Sequence, residues 1–390
     1  MFWSYVNGKT KIKSEIPHLV KGMLPDGSKD MTASSYEKAE VLSDFFCSVF
    51  TNEPQGPVTP VLPRNITQPM VEIDFSQQVV EAKLARLNTS KSAGSDNIHP
   101  RVIRELNSAI SLPLSMLFHT SYITGTVPHD WKSANVTAIH KKSDKTVADN
   151  YRPISLTSIL CKVMESIISD ALVHHMKTNK LFTNKQFGFI KGRSATLQLL
   201  NVIDEWTKLL DAGVSVDVLY TDFQKAFDTV PHRRLMAKLT SYSFCKNALN
   251  WIQSFLTGRR QRVVVAGHES TWQWILSGVP QGSVLGPILF LIYINDIVDQ
   301  LNCNAYLFAD DMKIFNAITT NTDRQDLQSD INTIAQWTNK WQLKLNAEKC
   351  KIMTVGRGLL EQLHTYLLPT GNQNGSHNLI ELLRKRILVF

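Results

Sequence analysis

The sequence predicts an α+β fold, on three observations. Residues 216–356 alternate β-prone runs with helix-spaced ones. Apolar residues recur at helical spacing in Ser34–Phe50 and again in Asp326–Trp341, where Leu327, Ile331, Ile334, Trp337 and Trp341 share one face. Two acidic clusters lie 88 residues apart (310 − 222), and each closes an apolar, β-prone run.

The elements follow in chain order. Ser34–Phe50 carries Tyr36, Ala39, Leu42, Phe45, Phe46, Val49 and Phe50 at helical intervals. Asn52–Pro63 holds four prolines and one glycine, so residues 1–63 read as an N-terminal preamble and linker. Val79–Leu87 is a short amphipathic helix, and Arg101–Ile123 is mostly helical with Pro113 interrupting it. Val136–His140 is a strand, and Lys141 and Arg152 flank the polar loop Ser143–Asn150 that follows. Helices are expected at Ile159–Lys177 and Thr196–Leu210. Val214–Tyr220 is a strand that delivers Asp222 at its end. Val284–Val298 is the longest apolar stretch. Gly286, Pro287, Asn295 and Asp296 interrupt it, so it is a buried helix and too short for a membrane span. Ala305–Ala309 is a strand, Asp310-Asp311 a tight turn and Met312–Phe315 the return strand. Leu343–Leu345 and Lys351–Val355 are strands on either side of Lys349. Residues 64–356 form the main unit. Residues 357–390 read as a divergent tail, in which the polar Gly371–Ser376 leads to Arg384-Lys385-Arg386 with no continuous apolar face.

Composition narrows the function. The 390 residues, 43% hydrophobic, are enough for a large core divided into subdomains. The net charge of +8 and isoelectric point of about 9.1 suit a polyanionic partner such as nucleic acid, as they suit any basic soluble protein. Cys47, Cys161, Cys245, Cys303 and Cys350 are scattered without a C-x-x-C pair, which fits free thiols in a reducing, intracellular compartment and excludes a disulfide framework or zinc site. His174-His175 has no ligand partner at metal spacing and reads as a solvated helix end. Met1–Asn7 has no long apolar region and is not a signal peptide.

The acidic clusters carry the chemistry. Adjacent aspartates in an apolar hairpin repel one another unless a cation neutralises them. Asp310 and Asp311, joined by Asp222 from a neighbouring strand, make a site for two divalent ions of the kind used in in-line phosphoryl or nucleotidyl transfer. The same residues also suit an ordinary polar turn and a helix N-cap. Asp228 is read as an N-cap or first-turn residue with no catalytic role. Pro280-Gln281-Gly282-Ser283 precedes the apolar helix; Ser283 suits its cap, and a free helix N-terminus there would favour phosphates. Gly94-Ser95-Asp96 is a turn signal.

Ordered blocks identify a family resemblance. They are Lys91-Ser92-Ala93-Gly94-Ser95-Asp96, Tyr151-Arg152-Pro153-Ile154-Ser155-Leu156, Gln186-Phe187-Gly188-Phe189, Tyr220 to Asp228, Gly278 to Pro287, Phe308-Ala309-Asp310-Asp311 and Leu345 to Lys351. From about Val71 to Gly356 the chain resembles the reverse transcriptase of a non-LTR retrotransposon, close to the jockey-like mobile elements. The resemblance implies a right-hand polymerase. Its fingers and the first part of its palm would lie in residues 64–215, the rest of the palm in 216–356, and its thumb would be largely missing. It implies an RNA-directed DNA polymerase that adds deoxynucleotides to a DNA primer 3′-hydroxyl on an RNA template, in the nucleus or cytoplasm and without a membrane. Two Mg²⁺ ions, with Mn²⁺ as a substitute, would be held by Asp222, Asp310 and, less directly, Asp311. Lys349 would protonate the leaving pyrophosphate, Phe227 would select deoxyribose, Gln281 and Gly282 would contact nucleotide and template, and Lys141 and Arg152 would grip the triphosphate. Lys142, one position on, is expected to be solvated. Two other readings stay open: an inactive relic that binds nucleic acid, and an RNA-dependent RNA polymerase, against which Phe227 argues.

Overall fold

A computed structural model describes residues 15–58, 60, 61, 63–356, 365–369 and 376–385, the last run by backbone alone except at Leu379. The sequence readings of Met1–Asn7, of Gly371–Gly375 and of Arg386 lie outside the described residues.

In chain order, β1 (Val20–Met23) and β2 (Lys29–Met31) precede helix α1 (Ser35–Ser48). Helices α2 (Gln77–Ala85), α3 (Pro100–Glu105) and α4 (Asn107–Thr124) lead to the hairpin of β3 (Ser133–His140) and β4 (Tyr151–Leu156). Next come α5 (Ile159–Thr178), α6 (Ala195–Asp211), β5 (Ser215–Thr221), the single turn α7 (Ala226–Thr229), α8 (His232–Ser241) and α9 (Lys246–Leu256). Short strands β6 (Arg260–Val265), β7 (His268–Glu269) and β8 (Gln273–Trp274) precede α10 (Leu285–Ile294). The chain ends with β9 (Asn304–Phe308), β10 (Asp311–Ile318), α11 (Asn321–Trp341), β11 (Lys351–Val355), β12 (Leu367–Pro369), β13 (Ser376–Asn378) and β14 (Ile380–Lys385). The architecture is mixed α and β, as the sequence predicts.

Two sheets organise it. The central sheet runs β14-β11-β5-β10-β9, and the second runs β4-β3-β6-β7 with β8 paired to β6. Helix α1 starts where the Ser34 hydroxyl accepts the Glu37 N–H at 3.2 Å and Glu37 accepts the Ala33 N–H at 2.8 Å, a reciprocal cap. Its buried face, Ala39, Leu42 and Phe46, packs on Val136, Val263 and Val265 of the second sheet. Helix α10 is buried all round, which is why its sequence shows no polar face. No described helix is long and apolar enough to cross a membrane.

A buried lysine ties three helices together. Lys238 of α8 lies 2.5 Å from Asp296, donates to the Tyr293 carbonyl at 2.6 Å, and sits 4.0 Å from the Trp341 ring centroid and 4.4 Å from that of Trp337. Burial lowers its pKa to about 8, against the opposing pull of Asp296. The helical periodicity of α11 thus continues past its apolar stripe into an aromatic cage for a cation.

The structure departs from the sequence reading in four places outside the site, one being that Leu343–Leu345 forms no strand and makes a single bridge, from Leu345 to Phe223. Arg101–Ile123 is two helices broken at Leu106, and Pro113 lies inside α4 without ending it. Pro113 is exposed, so the carbonyl that loses its partner can turn to solvent. His175 is buried, with Nε2 2.9 Å from the Tyr242 carbonyl, while His174 is exposed as expected. The tail is less loose than its composition suggests: β14 pairs in parallel with β11, and Tyr366, Leu368 and Leu379 join the main core. The Tyr366 hydroxyl donates at 2.7 Å to Asp217, a carboxylate buried within β5. That polar anchor left no periodicity for the sequence to show.

Candidate active site

Strand register brings the predicted carboxylates to one end of the central sheet. Met312 of β10 pairs with Thr221 of β5 in antiparallel fashion. Asp311 and Asp222 adjoin this pair, Asp311 as the first residue of β10 and Asp222 just past the end of β5, and the Asp222 charge acts on Asp311. Asp310 lies in the β9–β10 connection. Asp311 pairs with Phe308 and Ala309 has φ 56°, so the turn is made by Ala309 and Asp310 while Asp311 opens the return strand. The turn therefore falls one residue earlier than the sequence predicts.

Gln186 explains the shift. Its buried side-chain oxygen accepts the N–H groups of Ala309 at 2.9 Å and Gly188 at 2.8 Å, and the Phe187 N–H donates to the Leu307 carbonyl at 2.8 Å. The Gln186–Phe189 block thus runs along β9 and holds Ala309 in the left-handed region, which a residue with a Cβ rarely enters unaided.

The electrostatics follow from this crowding. Burial, then the charges of Asp311 and Asp222, hold Asp310 above the usual carboxylate range. Burial and the Asp222 charge raise Asp311 as well. Lys349 Nζ stands 3.7 Å from Asp222 Oδ1. Among the described residues, no group of three or more ligating side chains is gathered tightly enough to enclose an ion as it stands. The donor chemistry fits a hard divalent cation: the carboxylates offer only oxygen acceptors, and a cation relieves the repulsion that raises two of them.

Cations face the carboxylates. Ile139 pairs with Arg152, and the Lys141 N–H continues the β3–β4 ladder to the Asn150 carbonyl at 2.8 Å, so both side chains belong to the hairpin end as predicted. The flanking protein and the charges of Lys225, Arg152 and Lys349 lower Lys141 to about 8. Lys225, in the left-handed region at φ 44°, is bonded to Asp149 at 2.5 Å. Lys142 is exposed. A polyanion would relieve this repulsion between cations as a metal would relieve the other.

Phe227 stacks on Phe290, with centroids 4.5 Å apart at 20°, and meets the edge of the exposed Phe189 at 6.3 Å. The Gln281 carbonyl accepts the Ser155 N–H at 2.7 Å. Gly282 has φ 110°, and a Cβ there would lie 2.6 Å from the Ser155 carbonyl oxygen, so glycine is required. Gly94 is equally close to Thr157, and Ser95 donates to the Ser133 carbonyl at 2.9 Å, so that block is a packed structural turn.

One reading at the loop before α10 is corrected and another is narrowed. The helix start offers no free donor for phosphate. Glu165 accepts the N–H groups of Val284 at 2.7 Å and Leu285 at 3.0 Å, Ser283 accepts that of Gly286 at 2.9 Å, and Pro287 has none. Asp228 is the first-turn residue of α7 that the sequence allowed, not its N-cap, and its carboxylate accepts both bonds from the Gln281 amide, each at 3.0 Å. Glu165, Gln186 and Asp228 all act on the site through residues far away in sequence. Gln186 and Asp228 stood inside recognised blocks without an assigned catalytic role, and Glu165 stood in none.

The family is shown by comparison. Residues 139–378, more than half the chain, match the family model described as reverse transcriptase (RNA-dependent DNA polymerase), and the chain belongs to that family. The match runs past Gly356, into the tail. Its relatives come from mobile elements. The chain is 30% identical to the RNA-directed DNA polymerase from mobile element jockey of Drosophila melanogaster, over 86% of this chain and 38% of that protein. It is 31% identical to the probable RNA-directed DNA polymerase from transposon BS of the same species, over 70% of this chain and 31% of that protein. It is 28% identical to the probable RNA-directed DNA polymerase from transposon X-element, over 80% of this chain and 35% of that protein. The chain thus spans about a third of the length of these relatives.

Proposed function

We propose that this chain is the fingers-and-palm part of a retrotransposon RNA-directed DNA polymerase. It extends a DNA primer 3′-hydroxyl with deoxynucleotides on an RNA template, and acts in the nucleus or cytoplasm. The observation that carries this reading is that Asp311 and Asp222 adjoin the paired residues Met312 and Thr221, with Asp310 in the adjoining turn and close enough for their charges to act on it. Residues 1–63 are its preamble and linker, 64–356 its fingers and palm, and 357–390 its tail.

Asp222 and Asp310 hold two divalent ions, Mg²⁺ or Mn²⁺, and Asp311 supports them less directly. When bound, the ions supply Lewis acidity at the primer hydroxyl and at the leaving pyrophosphate. Lys141 and Arg152 neutralise and orient the triphosphate, Lys141 being lowered toward neutrality while no anion shares its charge. Lys349 gives a proton to the departing pyrophosphate; its contact with Asp222 keeps it beside the carboxylates. The Phe227 ring, held flat by Phe290, excludes a ribose 2′-hydroxyl. Gln281 and Gly282 meet the nucleotide and the template base.

Primer extension on an RNA template tests this, with deoxy- and ribonucleotides offered separately. Deoxynucleotide products are expected, and Phe227→Ala should raise ribonucleotide use relative to deoxynucleotide use. Ribonucleotide products from the unsubstituted chain would favour an RNA polymerase. Binding of the primer–template without products would favour a nucleic-acid-binding relic.

A further inference from the structure

We infer that Asp228 is a positioning residue that fixes the Gln281 side chain with its carbonyl oxygen turned toward the incoming nucleotide. The inference deepens the polymerase reading and rests on it. An ionised carboxylate only accepts hydrogen bonds, whereas an amide has one accepting and one donating end. Gln281 Nε2 is 3.0 Å from both Oδ1 and Oδ2 of Asp228, so the donating end is committed inward. No described group donates to Gln281 Oε1, and that acceptor is what the residue offers to a donor on the nucleotide, such as a sugar hydroxyl.

The backbone around the pair is fixed. The Val279 N–H donates to the Phe227 carbonyl at 2.7 Å, the Gly278 N–H to Val230 at 2.8 Å, and the Ser277 hydroxyl to the Asp228 carbonyl at 2.8 Å. Gly278 has φ 91°, and a Cβ there would stand 2.7 Å from the Asp228 carbonyl oxygen. These bonds lock α7 against the loop, so one short helix carries both the Phe227 ring and the anchor of Gln281. Held this way, the glutamine needs little ordering when the nucleotide arrives.

Protonation would reverse the arrangement, since a carboxylic acid can donate to Oε1 and turn the amide over. Burial raises Asp228 to about 6, while Gln281, Lys225 and Lys141 favour its charged form. His232, which contacts the Gly278 carbonyl from α8, is lowered by its own burial.

Two measurements on the full chain test the inference. In steady-state extension, Asp228→Ala and Gln281→Ala should each raise the nucleotide KM about ten- to a hundredfold, with smaller changes in kcat. The double variant should be no worse than either single one, and the isosteric Asp228→Asn should fall between. A double variant whose effect equals the product of the two would overturn the inference. The second measurement needs no activity. With glutamine selectively labelled with ¹⁵N, the side-chain amide signal missing from Gln281→Ala should move with a midpoint near pH 6, and should stay still in Asp228→Asn. An amide that ignores pH, or moves equally in both proteins, would overturn the pairing. Absence of extension by the unsubstituted chain with an intact amide titration would overturn the polymerase reading and leave the pair standing.

Discussion

The side-chain oxygen of Gln186 accepts the N–H of Ala309 at 2.9 Å, across 123 residues of chain. This bond fixes the turn that carries Asp310, because Ala309 needs outside support at φ 56°. Gln186→Leu would leave the Ala309 and Gly188 N–H groups buried without a partner, at about 1–3 kcal/mol each. Denaturant titration should show a loss of that order. Primer extension should fall further than the unfolded fraction explains, because the Asp310 carboxylate loses its placement.

Glu165 closes the start of α10 from below the site. Glu165→Leu removes the acceptor of Val284 and Leu285 and leaves the buried Arg259 without the carboxylate whose charge favours it. A stability loss of about 1–3 kcal/mol is expected for each of the two N–H groups left without a partner. Chemical denaturation measures it. A loss under about 1 kcal/mol would mean that solvent satisfies the helix start.

Asp228 should make stability depend on pH. Its folded value near 6 exceeds the unfolded value of 3.8, so the folded state binds the proton more tightly. The stability it contributes is full below about pH 4 and is lost as pH rises through about 6, by at most about 3 kcal/mol. Unfolding of the parent chain and of Asp228→Asn, compared at pH 4, 5, 6 and 7, should show the variant gaining ground across that window. A constant difference would contradict the burial of this carboxyl.

Lys141 should limit nucleotide affinity at alkaline pH. Its value of about 8 means that its charge fades above that pH in the free enzyme. The nucleotide KM should rise as pH passes 8, and Lys141→Met should raise KM at neutral pH and flatten the rise. Steady-state extension from pH 7 to 9.5 measures both.

Much of the site was legible from local pattern. Asp222, Asp310 and Asp311 stand out because charge at the end of apolar strands needs a reason, and the Lys141–Arg152 hairpin is marked by a polar loop between apolar runs. What stayed hidden depends on partners distant in sequence. Asp228 looks like any first-turn aspartate until Gln281, 53 residues on, donates to it. The start of α10 looks like an open phosphate site until Glu165 fills it from 119 residues away. The tail strands were missed because β14 is held by pairing with β11, and the segment leading into β12 by the Tyr366–Asp217 bond, neither of which leaves a repeating apolar signature.

Asp222, Asp310 and Asp311 are proposed to form one metal-dependent polymerase centre. Extension of a DNA primer on an RNA template, with Mg²⁺ titrated against parent and Asp310→Asn chains of matched thermal stability, tests it most directly. Mg²⁺-dependent deoxynucleotide addition is expected from the parent chain and none from the variant. Mg²⁺ should also raise the melting temperature of the parent more than that of the variant. Without Mg²⁺ the variant should melt no lower, since it removes a charge that its neighbours oppose. Undiminished extension by Asp310→Asn, or an equal Mg²⁺ response in both chains, would contradict the claim.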